Sequence, residues 1–74
     1  MSQKNFKKED FINTDDQYQI EYKKEEIGEG SNLIVERIYE KGSYEVVQAE
    51  IKRLEESIFI CWSEPFDGRI IFNQ

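Results

Sequence analysis

Two dense apolar runs near the carboxy end, "IFICW" (58–62) and "RIIFN" (69–73), constrain this chain more than any other feature. Each is too short for a helix and rich in strand formers. Between them lies "SEPFDG", with Pro65 suited to a type I turn and Gly68 where a positive φ would be useful. The stretch therefore reads as a β-hairpin. Both faces of its strands are apolar, so the hairpin is expected at the centre of a sheet, with Cys61 and Trp62 in the core.

The rest must be stabilised largely by packing. Seventy-four residues make one domain that removes only roughly 60% of its unfolded-chain surface from water. A single Cys excludes an internal disulfide, and one Cys with no His argues against zinc. Five Phe, four Tyr and one Trp supply the bulk for the core.

Upstream, "YQIEYKK" alternates Tyr18, Ile20 and Tyr22 with Gln19, Glu21 and Lys23, the period of a half-buried strand. "EEIGEGSN" breaks it with Gly28, Gly30, Ser31 and Asn32. "LIVERIYEKG" can be read two ways: as a helix capped by Ser31 and ended at Gly42, or as a strand returning against residues 18–24. Its β-branched content favours the strand. "SYEVVQAEIKRLEES" (43–57) carries Tyr44, Val47, Ile51 and Leu54 at helical spacing, a stripe that Ile58 would extend, with Glu45, Gln48, Lys52, Glu55 and Glu56 opposite. Ser43 suits its N-cap. A strand remains open there, because Val47, Ala49 and Ile51 also alternate. Residues 1–16 show no clean periodicity and read as a flexible arm before a globular domain at 17–74. The expected fold is α+β, in the order β-β-α-β-β, with one helix covering an antiparallel sheet of about four strands; an all-β meander is the alternative.

Functional signals are sparse. Without His, a standard Ser or Cys triad cannot be built. Cys61 sits in an apolar run, where a structural thiol is expected rather than a reactive one. "GEGSN" matches neither the Walker nor the dinucleotide glycine pattern. Adjacent acids such as Asp15–Asp16 lack calcium-loop spacing. No catalytic residue, metal or cofactor is expected.

Charge is the stronger signal. The chain carries −6, and between Glu25 and Glu64 ten acids face four bases. That argues against direct nucleic-acid binding, which needs a basic face. Pairs such as Glu36 with Lys41 would neutralise part of it. The remainder suits a basic partner protein. Glu25, Glu26, Glu29, Glu55, Glu56 and Glu64 are the candidate partner-binding charges, with Phe66 at the hairpin tip as an exposed anchor.

Small acidic chains without enzymatic motifs are similar, in general character, to phage-encoded blockers of host nucleases and to immunity proteins against toxins. The leading expectation is a non-enzymatic inhibitor that covers a basic surface. A self-associating homodimeric accessory subunit is second, and a small carboxylate enzyme or ligand carrier third. A lone thiol, no signal-peptide pattern and no long apolar segment point to a cytoplasmic protein with no membrane role.

Overall fold

A computed structural model describes residues 2–30, 32–39 and 42–73. Ser31, invoked above for turn chemistry or a cap, and Lys41, invoked as a partner of Glu36, lie outside the described residues. The strands are β1 (Ser2–Phe6), β2 (Ile12–Asn13), β3 (Tyr18–Lys23), β4 (Ile34–Ile38), β5 (Tyr44–Val46), β6 (Glu50–Arg53), β7 (Ser57–Trp62) and β8 (Gly68–Phe72). A one-turn helix, α1 (Lys24–Ile27), follows β3. Among the described residues these form two four-stranded antiparallel sheets, ordered β1-β8-β4-β5 and β2-β3-β7-β6. The domain is mostly β, and no described helix is long and apolar enough to cross a membrane.

The core lies between the sheets. β1, β4 and β8 contribute Phe6, Val35, Ile70 and Phe72; β3 and β7 contribute Ile20, Tyr22, Ile58 and Ile60. Ile58, Ile60 and Ile70 are fully buried. Each such aliphatic side chain contributes about 1.5–3 kcal/mol when removed from water. The apolar runs read from the sequence are thus interior strands, but they do not form a hairpin. β7 lies in the second sheet and β8 in the first, so residues 63–67 cross between layers. Gly68 has no positive φ. It is needed because a Cβ there would run into the backbone carbonyl of Glu36 on the adjacent strand β4. β3 and β4 do not pair either: β3 lies between β2 and β7, and β4 between β8 and β5.

The expected helix over 43–57 is replaced by β5, a corner and β6. The apparent stripe comes apart. Ile58 and Val47 are buried, but Leu54 is 58% exposed at a hairpin end. Residues 47–49 carry the chain from the first sheet to the second, and Val47 N–H donates to the Val35 carbonyl at 2.8 Å. The change of sheet shifts the phase of a two-residue alternation, which imitates helical spacing.

Residues 2–13, expected as an arm, lie in both sheets. β1 pairs with β8 from Ser2↔Phe72 to Phe6↔Gly68. A 3₁₀ turn at Lys8–Asp10 leads into β2, and Phe6 and Phe11 are buried. Asp10 accepts the Lys7 N–H at 2.9 Å, and Asp67 accepts the Lys8 N–H at 2.8 Å, pinning this turn to the 63–67 crossing. The layers therefore join at both sides. The joint at β5–β6 is tight. At the other side β2 covers only Tyr18 and Gln19 of β3.

Candidate functional site

β3 and β7 run antiparallel, so Lys23 and Ser57 meet at one end of the molecule and Tyr18 and Trp62 at the other. The first end carries α1 and the β6–β7 turn. Its local sequence explains both. Glu25 and Glu26 stand in the first turn of α1, and Glu26 accepts the Lys23 N–H at 3.3 Å. Gly28 ends the helix with φ 81°, its N–H donating to the Lys24 carbonyl at 2.7 Å. Ile27, almost fully buried, fastens the helix to the core. Opposite, Leu54 N–H donates to the Ser57 carbonyl at 2.9 Å, leaving Glu55 and Glu56 as the two tip residues of a hairpin. Lys24 N–H donates to the Glu56 carbonyl at 2.9 Å and joins helix to tip. Arg53 Nη2 reaches the Gly30 carbonyl at 2.9 Å and fixes the segment after the helix.

These ties create a cleft of about 340 Å³ lined by Lys23, Lys24, Glu25, Glu29, Glu55 and Glu56. Four carboxylates face two ammonium groups. Lys24 pairs with Glu29 at 3.3 Å, and Lys23 pairs with Glu21 at 3.1 Å on the neighbouring sheet face. Among the described residues no cation lies within ion-pairing distance of Glu25, Glu55 or Glu56. Lys23 feels Glu25 and Glu56 at longer range, and the cleft presents an excess of negative charge to solvent.

The sequence-derived residues divide accordingly. Glu25, Glu29, Glu55 and Glu56 are brought together. Glu26 is at the same end but turns toward β1, where Lys4 binds it at 3.1 Å. That bond, with the Lys23 N–H, holds its carboxyl below the ordinary 4.5. Glu64 is at the opposite end, 3.4 Å from Arg37. Phe66 is a correction: it is 4% exposed, not an exposed anchor. Its ring packs edge-on to Phe6 at 5.4 Å, tilted on Phe11 at 5.3 Å and edge-on to Trp62 at 6.4 Å, with the Arg37 guanidinium 5.9 Å away. Lys23 and Lys24 were missed as cleft residues. The "KKEE" quartet was their signal, since four charges in a row across a strand–helix junction must project from one short segment.

The Cys61 thiol is buried in β7, and that burial pushes its pKa up, outweighing the opposing pull of Lys52. A thiol in that state is a poor nucleophile. Among the described residues no group of three or more His, Cys, Asp or Glu is arranged to hold a metal ion. Comparison of the chain with known protein families, curated proteins and solved structures returned no match.

Proposed function

We propose that this chain is a small non-enzymatic binding module that covers a basic surface of a partner protein and so inhibits it. The observation that carries this reading is the convergence of Glu25, Glu29, Glu55 and Glu56 on one cleft, three of them in no described ion pair. Separate elements supply these charges, and backbone hydrogen bonds fix the elements, so the charge is held in place before binding. Such a patch accelerates encounter with a basic protein and weakens with salt. The unpaired Cys61 thiol supports a reducing, cytoplasmic setting. Affinity capture from the host identifies a partner, and calorimetry against the purified partner tests the reading. Binding should weaken as salt rises, and the fourfold variant Glu25→Gln, Glu29→Gln, Glu55→Gln, Glu56→Gln should abolish it, whereas Glu64→Gln should not. Equal affinity of the fourfold variant would end this reading.

A second reading, homodimerisation, rests on β5. This edge strand exposes Tyr44 and Val46, and Ile34, Ile38 and Ile71 extend the same outer face half-buried. Light scattering after size exclusion tests it: a strict monomer at high concentration removes it.

A further inference from the structure

The side of the molecule where β1 turns into β2 is open. β2 pairs only with Tyr18 and Gln19, so the β3 edge from Ile20 to Tyr22 has no strand beside it. The Lys4–Phe6 part of β1, the first strand of the other sheet, faces it. Between them runs a groove of about 480 Å³ lined by Lys4, Asn5, Phe6, Asp10, Ile12, Ile20, Glu21 and Tyr22. The core side chains Phe6, Ile20 and Tyr22 contribute to its lining. Ile12 stands at it 63% exposed, the most exposed of the large apolar residues described. An unpaired edge beside an open groove of mixed polar and apolar lining is an arrangement by which domains bind an extended peptide as an added strand.

The charge selects the occupant. Lys4 is already neutralised by Glu26 at 3.1 Å and Lys23 by Glu21 at 3.1 Å. Asp10 adds a further carboxylate, so acids outnumber bases around the groove. Burial raises the Tyr22 phenol pKa, and the Asp10 and Glu26 charges raise it further, a sign that the negative field reaches the groove. At this groove the charge disfavours a second copy of this chain, itself at −6, and a nucleic-acid strand.

We propose that this seam accepts an extended basic segment of a partner protein, paired as a strand with Ile20–Tyr22. Alternate side chains of the segment lie against Phe6 and Tyr22 on the core side, and the intervening ones share the outer face with Ile12. Those between carry Lys or Arg toward Asp10, the lining carboxylate outside these ion pairs. The site shares none of the four cleft carboxylates, so it stands or falls separately from the acidic end.

The test uses a capped ten-residue peptide of alternating Lys and Val, titrated into the isotope-labelled full chain and followed by amide NMR shifts. Saturable shifts at Ser2–Phe6 and Ile20–Lys23 are expected. Ile12→Lys, at an exposed position, should keep the amide spectrum of the fold and weaken binding about tenfold or more. N-methylation of the peptide on its pairing edge should abolish binding, and a Glu–Val peptide should not bind. The fourfold Gln variant of the cleft should bind within about twofold of the parent. No saturable shift, shifts confined to Glu25, Glu29, Glu55 and Glu56, or undiminished binding by the N-methylated peptide or by Ile12→Lys would overturn the proposal.

Discussion

Truncating Phe66 to alanine tests the fold at its most informative side chain. The ring is 4% exposed and meets three other aromatic rings between 5.3 and 6.4 Å. Phe→Ala in a core costs about 3–5 kcal/mol, and each well-placed ring pair lost adds about 0.5–1.5 kcal/mol beyond burial. A domain of this size has a total stability of roughly 4–11 kcal/mol. Phe66→Ala should therefore remove about half of the stability or more, and lower Tm by at least about 12 °C. Trp62 is the only tryptophan and lies 6.4 Å from the ring, so its fluorescence reports the transition in a urea titration. Phe66→Leu keeps most of the volume and should lose about 1.5 kcal/mol or less. Should Phe66→Ala stay within about 1 kcal/mol of the parent and lose partner binding instead, the buried cluster is wrong and the exposed-anchor reading returns.

Other expectations follow from equally specific contacts. Gly68→Ala drives a methyl group into the Glu36 carbonyl and should cost at least about 2 kcal/mol by urea titration, since β4 and β8 must separate locally. The Cys61 thiol should react with a chromogenic disulfide reagent far more slowly in the native chain than in denaturant; rapid stoichiometric labelling of folded protein at pH 8 would contradict its burial. Glu21 is lowered below 4.5 by the Ser57 hydroxyl and then Lys23, and Glu26 by Lys4 and then the Lys23 N–H. Depressed carboxyls stabilise the fold above their ordinary pKa, and this is lost as pH falls through the folded-state values. Tm at low salt should thus drop below about pH 4.5, and less steeply in the Glu21→Gln, Glu26→Gln double variant. Identical acid profiles would show that these bonds contribute nothing.

What the sequence revealed and what it hid have the same physical source. Residues 18–23, 34–38 and 57–62 pack one or both faces against a core, so alternation or apolar density marks them as strands. Pairing is less visible. A five-residue link such as 63–67 can close a hairpin or cross between layers, and the choice here depends on Phe66 and Asp67 finding partners from the first eleven residues. β1 escaped notice because it is an edge strand with one buried large apolar residue, Phe6. Helix formers dominate 48–56, yet tertiary contacts made by Val47 and Ile51 override that preference. The acidic end was legible as charge in Glu25, Glu29, Glu55 and Glu56. Its geometry was not, because the placement of Glu55 and Glu56 depends on a hairpin tip that sequence periodicity disguised as a helix.

The pairing of residues 2–6 with residues 68–72 sets a schedule for folding. Contacts between the most distant parts of a chain must repay a large loop-closure entropy, and such topologies fold slowly. On the ribosome the first sheet lacks an inner strand until β8 has left the exit tunnel, so Phe6 and Phe11 wait without their cover. During that interval the half-made layers offer bare strand edges to other nascent chains, and a chaperone would protect the yield.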